Sequence, residues 1–333
     1  PLLHGKDGKI HALPEDALPL TLPDLKDYRP TDTGEPPLAR ATDWLKVKVN
    51  GEELIRETNT MPQWAGSCWY YLRFMDPKNS SAFVGREAEQ YWGQVDLYIG
   101  GVEHAVLHLL YARFWHKVLF DCGLVSHNEP FRKLFNQGMI LAYSYKDEKG
   151  KYFRPDDAEQ RGDRWFVKGT DTPLHSQIEK MGKSKLNVIN PDDVVESHGA
   201  DSLRLYEMFM GPLEATKPWQ TNGITGVYSF LERIWSWVID IDSDQLVSGF
   251  ADAAEDKAPL EIRKELHKTI AKVTADIENL RFNTAIARMM EALNLFKREK
   301  TVNKGVVDVF VRLLSPFAPH LADELNARIA QAL

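Results

Sequence analysis

The chain is short of cysteine, of long apolar runs and of surplus positive charge. Only Cys68 and Cys122 occur among its 333 residues. Two cysteines cannot build a disulfide scaffold, and this pair lacks the spacing of a zinc site. Such scarcity fits a reducing, cytoplasmic setting. No apolar run approaches the ~18–20 residues that a membrane-crossing helix needs, and there is no signal-peptide pattern. Lysine and arginine total 41 against 48 acidic residues, a net charge of −7. That excludes a strongly basic chain but leaves room for a local basic face, because a partner responds to the local field. No repeat of 20–50 residues is visible.

What is present reads as globular. Hydrophobic residues make up 43% and charged residues 27%, a balance that buries a core and argues against long disorder. The length suggests about two domains. The chain opens on Pro1 and stops within a helix-like run at Gln331-Ala332-Leu333, which reads as a piece excised from a longer protein.

Residues 1–40 are rich in proline and acid, and read as an extended connector. The alternating run Leu45–Val49, followed by Asn50-Gly51, predicts a hairpin. From residue 61 the pattern is α/β. Val95–Ile99 is a strand candidate closed by Gly100-Gly101. A helix is expected over Glu103–Asp121, capped at its C-terminus by Gly123. Lys133–Phe135 is a second strand, running into Asn136-Gln137-Gly138-Met139. Strand, glycine turn, helix and strand form one unit of a parallel sheet. Residues 142–177 are polar, glycine-containing and weakly periodic, and read as a small inserted element or loop. Asn190 caps a helix with Pro191 at its first position, and a further helix runs through Ser202–Met210. Beyond residue 212 no strand signal remains. Leu266, Ile270, Val273, Ile277 and Leu280 form one apolar stripe, and the region reads as a bundle of four or five helices.

Two stretches carry chemistry on their residues alone. Lys180-Met181-Gly182-Lys183-Ser184-Lys185 is a cationic loop whose lysines suit a moving phosphate. The competing reading is a solvated basic surface loop. In Gly100-Gly101-Val102-Glu103-His104, the two glycines let backbone approach a ligand, and a carboxylate at a helix start can accept from ribose hydroxyls. His104 and His108 are spaced i, i+4. They can be core histidines, pocket walls or a metal pair, although the order is not His-Glu-x-x-His and no third ligand is evident. Trp64-Ala65-Gly66-Ser67-Cys68-Trp69-Tyr70-Tyr71 is an aromatic cluster that is core or pocket wall. Lys264, Lys268 and Lys272, with Arg263 beside them, form either a basic face for phosphates or an ordinary solvated helix face.

Taken in order, these segments resemble class I aminoacyl-tRNA synthetases. Lys180–Lys185, followed by Asn190-Pro191-Asp192-Asp193 and His198-Gly199-Ala200-Asp201, resembles their KMSKS region, with Gly182 where serine is usual. The Gly100–Tyr111 and Trp64–Tyr71 segments narrow the likeness to bacterial-type leucyl-tRNA synthetases. Asn136–Met139, Pro218-Trp219-Gln220, Arg281–Ala287 and Ser315–His320 agree with the same family in the same order.

The resemblance implies an α/β plus all-α fold: the C-terminal half of a Rossmann-type parallel-sheet catalytic domain with a small insertion, then a helical bundle. It divides the chain into a connector returning from an editing insertion (1–40), a catalytic half (41–141) and an inserted element (142–177). The KMSKS loop with its helices (178–212) and an anticodon-binding-type bundle (213–333) complete it. The activity implied is ATP-dependent ligation of leucine to tRNA(Leu) through leucyl-adenylate. By resemblance Lys183 and Lys180 are catalytic, and Gly101, Glu103, Gln137, Gly138, Met181 and Lys183 bind ATP. Trp64, Ser67, Tyr70, His104 and His108 frame leucine. ATP with Mg²⁺ is the cofactor set, and no zinc or other resident metal is expected. The partners are tRNA(Leu), leucine and ATP, with no membrane, and the protein is expected to be a cytoplasmic monomer. No HIGH-type run occurs in the chain, so the piece by itself is expected to be inactive in adenylation. The alternative is a non-catalytic tRNA- or protein-binding module.

Overall fold

The computed structural model describes residues 1–29, 34–61 and 63–332. The chain divides into two compact units, Pro1–Asp96 with Glu103–Lys133, and Leu97–Val102 with Leu134–Leu333.

In the first unit, strands run Leu2–His4, Ile10–Ala12, Lys46–Val49 and Glu52–Arg56. The antiparallel sheet has Leu2–His4 and Glu52–Arg56 at its centre. Asn50 (φ 52°) and Gly51 (φ 86°) make the expected hairpin turn, both left-handed as a two-residue hairpin requires. Leu3, Leu13 and Leu54 are its small core. The start of the chain is therefore not a plain connector. Its first twelve residues pair into the sheet, a non-local partnership that proline content does not reveal. Residues 30–33 of that stretch lie outside the described residues.

The rest of this unit is helical, with Gln63–Ser67, Tyr70–Met75, Arg86–Trp92 and His108–Asp121 packed around Cys68, Tyr71, Leu72, Val84, Ala112 and Val125. The long helix starts at His108 and not at Glu103. A 3-10 turn, Val102–Val106, precedes it, and Leu107 (φ −116°, ψ −109°) breaks the path between them. Its C-terminal end is as expected, with Gly123 left-handed at φ 71°.

In the second unit, Tyr98–Ile99 and Leu134–Phe135 pair in parallel. The first strand is shorter than the run Val95–Ile99; Val95 belongs to the first unit and there makes an isolated parallel bridge to Phe131. Residues 142–177 are not a loop. Ile140–Lys146 and Pro173–Lys180 are long antiparallel partners, and Ala158–Arg161 and Arg164–Val167 extend the sheet. Lys217–Pro218 adds a parallel edge to Ile140–Leu141.

Asn190 accepts from the Asp192 N–H at 3.2 Å and caps Pro191–His198. The helix after it runs Ala200–Phe209. Among the described residues the bundle has five helices: Thr221–Val238, Leu260–Glu278, Phe282–Phe296, Lys304–Leu314 and Pro319–Ala332. Short two-residue strands, such as Phe250–Ala251 on Val302–Asn303, tie its loops where no strand was expected. Leu266 and Val273 are fully buried, as their stripe predicts, together with Ile286, Leu293, Phe310 and Leu325.

Candidate functional site

In the second unit the parallel pair places two turns side by side. Tyr98 is opposite Leu134 and Ile99 opposite Phe135, and the Gly100 N–H donates to the Phe135 carbonyl at 3.2 Å. Gly100-Gly101 and Asn136-Gln137-Gly138 thus leave adjacent carboxyl ends of parallel strands, the position where α/β sheets bind ligands. Gln137 is exposed. Gly138 has a packing duty. A Cβ there would lie 2.2 Å from the carbonyl carbon and oxygen of Ala215, so its bare backbone is needed by the protein's own chain.

The lysine loop leaves the neighbouring sheet, next to the segment that follows Gly138. Lys180 is the last residue of strand Pro173–Lys180 and stands opposite Leu141, three residues past Gly138. Met181 packs on the bundle core. Lys183 and Lys185 bound a 3-10 turn that Leu186 leaves at φ 56°. Lys180 and Lys183 are exposed, and neither is in an ion pair among the described residues. Lys185 differs, with its ammonium 3.4 Å from Glu179. Glu179 also accepts from Ser144 at 2.7 Å and from Gln177 at 2.7 Å. The Ser144 hydroxyl, followed by Lys185, holds its carboxyl below the usual range. A Cβ at Gly182 would meet only side chains, the nearest at 3.9 Å, so the serine common in the resembled family would fit.

The first unit assembles a separate group. Helix Gln63–Ser67, which carries Trp64 and Ser67, packs on His108–Asp121. The Tyr70 and His108 rings lie 5.9 Å apart, and those of His104 and His108 6.4 Å. His108 is buried, and burial, then the neighbouring His104, pushes its pKa down. The imidazole is therefore neutral near pH 7. His104 Nδ1 is buried without a hydrogen-bond partner among the described residues. Trp64 is half-buried, while Ser67 and Glu103 are exposed. Tyr70, His104 and His108 thus form an aromatic wall with polar nitrogens, a surface suited to a small amphipathic ligand. The broken helix does not separate the two histidines. Among the described residues no group of three His, Cys, Asp or Glu could hold a metal, and no helix is long and apolar enough to cross a membrane.

Three polar side chains to which the sequence assigns no role support the loop and its helices. Glu179 and Asn187 hold the lysine loop. Asp201 accepts from the Leu321 N–H at 2.7 Å and faces His320 Nδ1 at 2.8 Å, tying the helix after the loop to the start of Pro319–Ala332. The basic stripe loses a member, because Lys272 is committed to buried Asp276 at 2.8 Å. Lys264 and Lys268 still line a groove with Arg263 and His267.

Comparison with known proteins adds the following. Residues 260–332 match the model for the anticodon-binding domain of tRNA ligase. Residues 172–217 match that for class I tRNA synthetases of the I, L, M and V group. The chain is 57% identical over 331 residues to leucine–tRNA ligase 1 of Rhizobium johnstonii, covering 99% of the chain and 39% of that protein. It is 52% identical over 322 residues to the leucine–tRNA ligase of Borrelia duttonii, covering 96% of the chain and 37% of that protein. A solved structure of Agrobacterium radiobacter K84 agnB2 LeuRS, in a ternary complex with tRNA and LeuAMS, superposes with a TM-score of 0.74 at 32% identity. That match covers 98% of this chain and 39% of the other. The chain thus spans less than half the length of the relatives it matches.

Proposed function

Because the chain belongs to the class I tRNA synthetase family, among the leucine–tRNA ligases, we propose that it supplies part of a leucine-activating site and the tRNA-facing helical bundle. In the first step the leucine carboxylate attacks the α-phosphate of ATP, giving leucyl-adenylate and pyrophosphate. In the second, the terminal ribose hydroxyl of tRNA(Leu) attacks the leucyl carbonyl and takes the leucyl group, and AMP leaves. Displacement at phosphorus is promoted chiefly by positioning and by charge stabilisation. Lys183, with Lys180, neutralises the charge growing on the phosphates of ATP, which carries its Mg²⁺ as part of the substrate. Glu103 and Gln137 hold the ribose, Gly101 and Gly138 approach the nucleotide, and the Met181 backbone borders adenine. Trp64, Ser67, Tyr70, His104 and His108 frame leucine, with neutral His108 adding no charge beside an aliphatic side chain. A cytoplasmic setting belongs to the same proposal.

The observation that carries the reading is the register of Lys180 against Leu141. It sets the end of strand Pro173–Lys180 beside Leu141, at the start of Ile140–Lys146 and three residues past Gly138, which supports a shared site. The test is leucine-dependent exchange of pyrophosphate into ATP. In the full-length protein carrying this chain, Lys183→Ala is expected to lower exchange by roughly 100-fold or more. An unchanged rate would sink the assignment. The isolated chain, which has no HIGH-type run, is expected to show no exchange.

A second reading, tRNA binding without chemistry, draws on Lys264, Lys268 and Arg263 around one groove. It predicts tRNA affinity that falls steeply with salt and flattens in Lys264→Ala/Lys268→Ala. A slope unmoved by that double substitution would reject it.

A further inference from the structure

The lysine loop is braced by one side chain that no lysine-based reading would select. Asn187 is 1% exposed. Its Oδ1 accepts the Gly182 N–H at 3.0 Å, and its Nδ2 points back to the Ala142 carbonyl at 3.5 Å, on strand Ile140–Lys146. The Gly182 carbonyl is also used, accepting the Lys185 N–H at 3.0 Å. Both polar backbone groups of Gly182 are therefore bound within the loop. The return path needs Leu186 in the left-handed region, at φ 56°. That conformation is costly for a residue with a side chain, so something must hold it. Glu179 ties down Lys185 at 3.4 Å on the flank. Lys183 lies between these two anchors and is exposed.

We propose that Asn187 is a positioning residue: by closing the loop from Gly182 to Leu186 it aims Lys183, while Glu179 holds Lys185 away from the phosphates. This rests on the reading of Lys183 as the group that meets the phosphates of ATP. The loop sets Lys183 at a fixed height beside Lys180, unpaired among the described residues, and withholds Lys185, so it does not offer three equivalent lysines to any anion. Freed from Asn187, the Gly182 amide turns to water, Leu186 relaxes, and Lys183 samples a wider volume. A cation displaced by about 1 Å from a developing charge can lose roughly 100-fold in rate.

The test compares Asn187→Ala, Lys183→Ala and the double variant in leucine-dependent pyrophosphate exchange by the full-length protein. Asn187→Ala is expected to lower kcat roughly 10- to 100-fold, with the ATP KM within about threefold. In the Lys183→Ala background it is expected to cost almost nothing more, because the group it aims is gone. Wild-type kcat in Asn187→Ala, or an equal loss in both backgrounds, overturns the inference while leaving the role of Lys183 standing. A wild-type exchange rate in Lys183→Ala overturns the role of Lys183 itself. Should Asn187→Ala fail to fold, amide exchange in the unsubstituted protein decides. The Gly182 amide is expected to exchange roughly tenfold or more slowly than those of Lys183 and Ser184, and equal rates refute the brace.

Discussion

Replacing Gly138 by alanine separates two reasons for a glycine at this site. The new Cβ would sit 2.2 Å from the Ala215 carbonyl carbon and oxygen, and 2.5 Å from the Thr216 nitrogen. Carbon atoms in ordinary contact stand about 3.5–4 Å apart, so the two backbone segments must part by more than ~1 Å. Neither is a flexible side chain that can swing away. Their separation strains the Gly138 N–H bond to Leu213 O at 2.9 Å and the Lys217 N–H bond to Met139 O at 3.1 Å. Overpacking costs about 1–3 kcal/mol and each backbone bond about 1 kcal/mol, which gives about 3–5 kcal/mol in all. For a unit of about 200 residues that lowers the melting temperature by roughly 6–20 °C. The assay is thermal and urea unfolding, with Gly182→Ala as the control. At Gly182 the nearest atom to a new Cβ is a lysine side-chain carbon at 3.9 Å, and a change under ~0.5 kcal/mol is expected. If Gly138→Ala unfolds like wild type yet loses ATP affinity, the glycine serves the nucleotide alone and the packing argument is wrong.

Other consequences can be measured independently. The Asp276 carboxylate is fully buried, at 2.8 Å from Lys272, 3.1 Å from Arg281 and 2.6 Å from Thr284. Burial alone would raise its pKa, yet the bonds from Lys272 and Thr284 win and lower it. Asp276→Ala should cost about 2–3 kcal/mol in urea unfolding, below the full price of a broken buried pair because both cations can return to water; a loss under ~0.5 kcal/mol would contradict this. Glu129 is held at about 2, from 4.5, first by Arg113 and then by Lys117. A depressed folded pKa stabilises above the unfolded value, so this contribution is whole above about pH 4.5 and fades as pH falls toward 2. Glu129→Gln should flatten acid unfolding followed by circular dichroism in that window, and an unchanged acid profile would argue against the ion pair.

Local grammar was legible in the sequence. Asn50-Gly51 requires two left-handed residues, Asn190-Pro191 offers an acceptor and a preset φ, and the Leu266–Val273 stripe has one face to bury. Each involves neighbours within a turn or two, so residue type and spacing suffice. The order of the lysine loop, the Gly100–His104 segment and the aromatic cluster carried the family likeness for the same reason. Tertiary structure decided the rest. Strand Pro173–Lys180 alternates weakly, and its partner Ile140–Lys146 lies about thirty residues upstream, so only the assembled sheet identifies it. The strands at Leu2–His4 and Ile10–Ala12 likewise exist because Glu52–Arg56 supplies an edge. Gly138 meets Ala215, and Asp201 meets Leu321, across separations that no periodicity spans. Hydrogen bonds and steric contacts act over a few ångströms of space, whereas sequence pattern records distance along the chain. The two coincide within a helix or a turn and part company wherever the chain folds back on itself.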